Sequence, residues 1–307
     1  MEPTVIGAVM SFVKRIFLIG LLSCSGFQSA HAILAGGEFD LPDDSPSSRI
    51  DSAGVYDFVG ALEISAGGSS YYGSGTALSP HWVLSAGHNV DFNDDGLVDS
   101  GLGVDFHLPG YGSYSASSFS IHPDFTGFSN PSIQHDLSLL YFSDPLPSLL
   151  FPTLGNSLIL DATSTLIGYG RSGYGSYGYT TDASLTDRRV GYNVIDEFET
   201  VGDGILYRYD FDNPNTGDGL GNALETLIGP GDSGGTLLVG NALVGVNTFT
   251  EGYGGLFGDI GGGIALNNEW DWIGQTTGLA VPEPSSVLLI LIGSATIFAY
   301  RRKKLSR

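Results

Sequence analysis

No long stretch of this chain repeats its apolar residues at the spacing of a helix face. The apolar runs are short, alternate with polar residues and end at glycine or proline. Phe58-Val59-Gly60-Ala61-Leu62-Glu63-Ile64 alternates, and Tyr71 to Leu78 and Trp82 to Ser85 carry the pattern across a Ser79-Pro80 turn. Further strand-like segments run from Asp187 to Ile195 and from Ile205 to Phe211. Thr236 to Val239 and Ala242 to Phe249 are joined by Gly240-Asn241, a pair suited to a tight hairpin turn. A period of two buries one face of each segment. Many short strands, punctuated by some of the chain's 46 glycines, imply an all-β barrel body.

Both ends differ from this body. Residues 1–32 hold Lys14-Arg15, an apolar run from Ile16 to Leu22 and the small-x-small close Ala30-His31-Ala32. This is the layout of a secretory signal peptide, and its apolar run is too short to span a bilayer. Leu21-Leu22-Ser23-Cys24 offers a rival reading as a lipoprotein cleavage box. At the other end Val281-Pro282-Glu283-Pro284 is followed by apolar Val287 to Tyr300 and by Arg301-Arg302-Lys303-Lys304. Together these parts resemble the PEP-CTERM sorting signal of Gram-negative bacteria, and the basic tail obeys the positive-inside rule. The resemblance implies an exosortase-type sorting enzyme as partner and only transient membrane contact through 287–300. The processed protein would lie at the cell surface, in the extracellular matrix or in the medium. An ordinary C-terminal anchor is the plainer alternative, and it leaves the Pro-Glu-Pro unexplained.

Removing both ends takes away seven of the 12 basic residues and two of the 33 acidic ones, leaving five against 31, a net −26 with no lysine. Such a surface argues against nucleic acid and anionic lipid as partners and favours cations. The single cysteine, Cys24, leaves with the signal peptide, so the body has no intrachain disulfide. It depends on core burial, for which about 250 residues suffice, with a bound metal as the alternative staple.

One short run concentrates the chemistry, Gly231-Asp232-Ser233-Gly234-Gly235. Glycines beside a serine permit a bend that keeps the hydroxyl open while neighbouring N–H groups converge, as a serine nucleophile requires. The run also satisfies Gly-x-Ser-x-Gly, the nucleophile elbow of α/β-hydrolases, in which the histidine follows the serine. Here the last histidine is His135, well before Ser233, so an elbow serine has no base. Upstream, Ser85-Ala86-Gly87-His88 follows Trp82-Val83-Leu84, and His135-Asp136-Leu137-Ser138-Leu139-Leu140 comes next, giving the order His, Asp, Ser. In these motifs and this order the chain resembles the chymotrypsin-like (trypsin-fold) serine proteases over about residues 55–276. Gly73 to His88 resembles the family's approach to its histidine almost throughout, with Gly87 and Asn89 where Ala and Cys are common. Ser120 to Phe125, Thr165 to Gly170 and Trp270-Asp271-Trp272-Ile273 resemble its His-Pro strand, its Gly-Trp-Gly strand and its short C-terminal helix, which makes His122 structural.

The resemblance implies two six-stranded antiparallel β-barrels, the active site in the cleft between them, and a short C-terminal helix. It implies Ser233 as nucleophile, His88 as base, Asp136 as the carboxylate that orients His88, and the N–H groups of Gly231 and Ser233 as an oxyanion hole, with no cofactor for the chemistry. Asp136 pairing with neighbouring His135 is the competing arrangement. Ile33-Leu34-Ala35-Gly36-Gly37 loosely resembles the Ile-Val-Gly-Gly start of activated members, whose free amine pairs with the acid before the serine, here Asp232. Leu227 stands where trypsin-type enzymes carry Asp, and Thr250 stands where Gly is usual, two residues after Thr248. These pocket positions argue against Lys or Arg and toward small apolar residues in the substrate.

Asp91, Asn93, Asp95 and Asp99 fall at loop positions 1, 3, 5 and 9 of a calcium loop with Gly96 at 6, but Leu102 replaces the EF-hand's last Glu. A shorter structural calcium site and a solvated acidic turn both remain open. Asp210, Asp212, Asn213, Asn215 and Asp218 make a second acidic loop, and the Gly/Tyr-rich run 168–179 reads as a strand plus a mobile surface loop. The expected organisation is a signal peptide (1–32), an N-terminal segment (33–54), a first barrel (55–150), a second barrel with the helix (151–276), a linker (277–286), and a membrane helix with basic tail (287–307). The expected function is a secreted serine endopeptidase that cleaves protein or peptide substrates through an acyl-enzyme. The alternatives are a catalytically inactive adhesion or matrix protein of the same fold, and an esterase using the same triad.

Overall fold

The computed structural model describes residues 33–35, 46–128, 133–157, 159–214, 220, 225–252 and 254–282. The signal peptide, Cys24, the apolar segment 287–300, Asn215 and Asp218 lie outside the described residues. Among the described residues no helix is long and apolar enough to cross a membrane.

After a two-residue strand, β1 (Leu34–Ala35), comes one antiparallel sheet. It is built from β2 (Val59–Ala66), β3 (Ser69–Ser79), β4 (Trp82–Ser85), β5 (Gly103–Leu108), β6 (Gly112–Ser115), β7 (Ser118–Ile121) and β8 (Ser138–Tyr141). Its two edges, β6 and β7, are consecutive pieces of one bent strand, the first paired with β5 and the second with β8. At the bend the Ala116 N–H donates to Val104 and the Ser117 N–H to Tyr141, so the chain crosses from one edge to the other and closes the sheet. The seven segments therefore curl into a six-stranded barrel in which the bent strand serves both edges.

The second half repeats the device. Its elements are β9 (Thr153–Leu154), β10 (Thr163–Gly168), β11 (Ser172–Tyr174), β12 (Gly178–Thr181), β13 (Arg189–Val194), β14 (Glu197–Val201), β15 (Gly204–Asp210), β16 (Thr226–Leu227), β17 (Thr236–Val239), β18 (Ala242–Glu251), β19 (Ile260–Ala265) and α1 (Trp270–Thr277). Here β13 pairs with β10 and its continuation β14 pairs with β15. Between them the Ile195 N–H donates to Ala162 and the Asp196 N–H to Arg208. This bent strand closes a second six-stranded barrel through β15, β19, β18 and β17, while β9 adds in parallel to the start of β18.

A small separate sheet, in the order β12-β11-β1-β16, corrects one expectation. Only part of the Gly/Tyr-rich run is surface loop, because its far side is drawn in by the N-terminus. Ala35 pairs with Tyr174, the Ser172 hydroxyl donates to the Ile33 carbonyl, and Tyr179 packs on the cluster that holds Ile33 and Leu34.

Alternation explains the core. Leu62, Ile64, Val83, Phe106 and Leu140 fill the first barrel with no exposure, and Leu84 and Leu139 are buried on the opposite face of the same strands. Gly60 makes room for Phe106, since a Cβ there would lie 2.5 Å from the ring. The same cluster continues through Ile167, Leu238, Val246, Ile264 and Trp270 of the second half, so one core joins both barrels. Each such side chain stabilises by about 1.5–3 kcal/mol, which replaces the staples a disulfide-free body lacks. The Trp270 indole N–H donates to the Gly155 carbonyl at 2.9 Å and seats α1, which ends in left-handed Gly278.

Candidate active site

Ser233 sits in the turn between β16 and β17, half-buried, with Gly231 at φ 97° and Gly234 at φ 86° on either side. Side-chain-bearing residues rarely adopt either conformation. At Gly234 the restriction is also spatial, because a Cβ would lie 2.1 Å from both the Ser74 carbonyl and the Ser85 hydroxyl. The N–H groups of Asp232, Gly234 and Gly235 are all taken, by Gly229, Asn247 and Asp232 respectively. Among the described residues the N–H groups of Gly231 and Ser233 donate to no backbone carbonyl. The turn thus spends every donor but those two. The Ser233 carbonyl is gripped from the first barrel by the Ser74 N–H at 2.8 Å and the Asn89 amide at 2.9 Å. Asn89 also donates to the Ser85 hydroxyl at 3.0 Å. The sequence marks Asn89 only as a departure, an amide where a Cys is common beside the expected base, and gives it no role.

His88 occupies a 3₁₀ turn, Gly87–Asn89, that follows β4. Asp136 is fully buried and gives both carboxylate oxygens to this one residue. Oδ1 accepts the His88 backbone N–H at 2.8 Å, and Oδ2 accepts from Nδ1 at 2.7 Å. The bidentate grip fixes the ring's orientation and tautomer and leaves Nε2 as a proton acceptor. Burial works to lower the His88 pKa, but the charge and hydrogen bond of Asp136, with Asp91 and Asp94 beyond, outweigh it and hold the imidazole above its ordinary range. The alternative pairing of Asp136 with His135 does not form, because His135 turns to Glu269 and Asp203. Phe128, which the sequence did not point to, lies with its ring centroid 4.8 Å from that of His88.

Asp232 is fully buried behind the serine. Its Oδ1 accepts the Gly170 N–H at 2.9 Å, and its Oδ2 accepts those of Gly229 at 2.9 Å and Ile33 at 2.7 Å. Burial pushes its carboxyl up to about 6 in spite of these donors. The expected partnership of Ile33 with Asp232 is therefore present as a hydrogen bond from the backbone nitrogen.

The three pocket positions do not share one surroundings. Leu227 is fully buried and pairs with Leu34 in the small sheet, so it belongs to the N-terminal cluster. Thr248 is buried, and its hydroxyl has no hydrogen-bond partner among the described residues. Thr250 is exposed, faces Gly261 across β18 and β19, and hydrogen-bonds Tyr179.

In the acidic loop the oxygens face the loop's own backbone. Asp91 accepts from the N–H groups of Asp95 and Gly96, Asn93 from Asp95, Asp95 from Leu97, and Asp99 from Phe92. The loop is closed by its own side chains, and its carboxylates do not converge as a ligand set. Those that converge within 4.8 Å among the described residues belong to three other groups: His122, His135 and Glu269; Asp124, His135 and Asp203; Asp210, Asp212 and Glu225. The last partly matches the second acidic loop of the sequence. Its buried Glu225 is satisfied by the N–H groups of Asp212 and Leu220.

Comparison with known proteins bears on the family and the fold. A family model described as Trypsin matches residues 51–273, and one described as PEP-CTERM protein-sorting motif matches residues 280–304. A solved structure of HL collagenase, determined at 1.7 Å resolution, superposes with a TM-score of 0.57 at 19% identity, covering 75% of this chain and 97% of that one. At that identity the likeness speaks to the fold alone. No curated protein matches the sequence.

Proposed function

We propose, from the premise that this chain belongs to the trypsin family, that it is an exported serine endopeptidase. The observation that carries the reading is the double hold of Asp136 on His88 beside a glycine-bounded serine turn with two N–H groups left unspent. Ser233 Oγ attacks the substrate carbonyl while His88 Nε2 takes its proton and later passes it to the leaving amine. Asp136 keeps the ring in the accepting tautomer and stabilises the imidazolium. The N–H groups of Gly231 and Ser233 receive the oxyanion, each worth about 10²–10³ in rate. These roles follow the general serine-protease template, carried onto this chain's residues.

Cutting the chain between Ala32 and Ile33 would turn the Ile33 nitrogen into an ammonium already seated on Asp232. Removal of the signal peptide would then also activate the enzyme. The sorting motif at 280–304 marks the chain for export and sorting in Gram-negative bacteria, with an exosortase as the processing partner. A preference for small apolar residues rests on the family resemblance alone, in which Thr250 stands where Gly is usual.

The test is proteolysis by purified 33–282, which should cleave an unfolded protein substrate and lose that activity in Ser233→Ala. Hydrolysis of esters alone would make the protein an esterase. A folded protein that hydrolyses neither, even with Ile33 at its terminus, would be a binding module.

A further inference from the structure

Behind Asp136 lies a buried group that the proposed chemistry does not use. His135 and His122 stack with ring centroids 4.5 Å apart and planes 8° from parallel. His135 Nδ1 lies 3.1 Å from both oxygens of Glu269, and its Nε2 lies 3.0 Å from Asp203 Oδ1. His122 Nε2 lies 3.3 Å from Glu269 Oε2, and its Nδ1 accepts the Asp124 N–H at 3.2 Å. Glu269 has no exposure, whereas the Asp203 side chain is 86% exposed.

The partners assign the protons. Both nitrogens of His135 face carboxylates, so both carry hydrogen and the ring is a cation. His122 accepts at Nδ1, so its proton is on Nε2, donated to Glu269, and the ring is neutral. A metal ion on His122 Nε2 would need a lone pair there. It would also force the proton onto Nδ1, against the Asp124 N–H, whereas a ligating histidine donates from its second nitrogen. The cluster is built around a proton, not a metal.

What the cation holds is the turn before Asp136. His135 has φ 52°, a left-handed conformation that its Cβ disfavours. The turn is tight, with the Leu137 N–H donating to the His135 carbonyl at 2.6 Å and the His122 N–H to the Leu137 carbonyl at 3.0 Å. Glu269 immediately precedes α1, and Asp203 sits in the β14–β15 turn, itself tied down where the Asn268 amide donates to the Asp203 carbonyl at 2.7 Å.

We infer that His135 is a positioning residue for the triad: its doubly bonded imidazolium pins the turn that presents Asp136 to His88, and so couples α1 and the β14–β15 turn to the catalytic pair. The inference rests on the peptidase reading. The groups facing His135 are Glu269 from the start of α1, Asp203 from the β14–β15 turn, and His122 and Asp124 from the segment after β7. Hydrogen bonding to Glu269 comes first among the causes that hold its pKa at about 9, with burial opposing. Loss of that proton uncouples the turn, so kcat falls on the alkaline side while KM hardly moves.

The experiment measures kcat and KM against pH for wild type, Glu269→Gln, His135→Asn and Asp203→Asn. The low-field proton resonance of the His88 Nδ1–H is followed in parallel, because it reports the pair without any substrate. Wild type should lose kcat through a midpoint near 9. Glu269→Gln should move that midpoint at least one unit toward acid, and His135→Asn should abolish the limb with kcat about tenfold lower throughout. Asp203→Asn changes only an exposed side chain, so it should fold normally and shift the midpoint partway. A wild type with the resonance but no hydrolysis would sink the peptidase reading and leave the clamp readable. Folded variants that keep the wild-type midpoint and resonance would overturn the clamp alone. So would zinc raising the Tm of wild type but not of His122→Asn.

Discussion

Asp232 makes the fold's stability depend on where the chain begins. Its carboxyl is buried, receives three backbone N–H bonds, and still titrates at about 6, against about 3.9 in an unfolded chain. A carboxyl raised in the native state keeps its proton longer there than in the unfolded chain. Native stability therefore drops as pH climbs from about 4 through 6, and the loss is complete above 6. A shift of about two units costs about 3 kcal/mol at pH 7. A chain cut before Ile33 brings an ammonium to the position where the amide nitrogen lies 2.7 Å from Oδ2. That charge pulls the carboxyl back down and removes up to about 3 kcal/mol of the penalty, less the cost of burying the ammonium. For a body of this size, the gain corresponds to a rise in Tm of up to about 6–12 °C. The assay compares thermal melts of protein beginning at Ile33 with protein carrying extra residues before it, at pH 7 and at pH 4. The difference should be largest at pH 7 and shrink at pH 4, where Asp232 is protonated in the extended form. Equal melting temperatures at both pH values would refute the reasoning.

Three further outcomes follow from the same geometry. Asp136→Asn would turn an amide NH₂ toward His88 Nδ1 and leave the proton on Nε2, so kcat should fall by about 10⁴ with little change in Tm; retention of a tenth of the activity would contradict the role. Gly234→Ala adds a left-handed penalty of about 1–2 kcal/mol to a contact that must push Ser74 or Ser85 aside; it should lower Tm and abolish activity, and a variant as stable and active as wild type would show the turn to be relaxed. The acidic limb of kcat/KM should have its midpoint above about 6.5, the ordinary histidine value, because Asp136, Asp91 and Asp94 hold the charged form of His88; a midpoint below that value would mean burial wins.

The parts legible in the sequence were those fixed by local chemistry. Glycine on both sides of Ser233 announced a bend because few other residues tolerate those angles, and strand alternation announced the barrels because burial on one face has a period of two. Ile33 and Asp232 were connected only through resemblance, since 199 positions separate them. The barrel closures were not legible, because a bent strand such as β6 with β7 looks in sequence like two short ones. His135 was passed over for the same reason that its partner was: Glu269 lies 134 residues away, and nothing near either residue marks the pairing. The acidic loop's spacing suits an ion, and its side chains also accept the loop's own N–H groups, a local arrangement that the spacing alone does not spell out.

The central claim is that Ser233, His88 and the two unspent N–H groups act as one assembled centre. Intact-mass analysis of purified 33–282 beginning at Ile33, after exposure to a fluorophosphonate, tests it most directly. The account predicts one adduct, located on Ser233, formed faster as pH rises through the His88 transition, and absent from Ser233→Ala. Folded protein that forms no adduct, or forms it equally in Ser233→Ala, would contradict it.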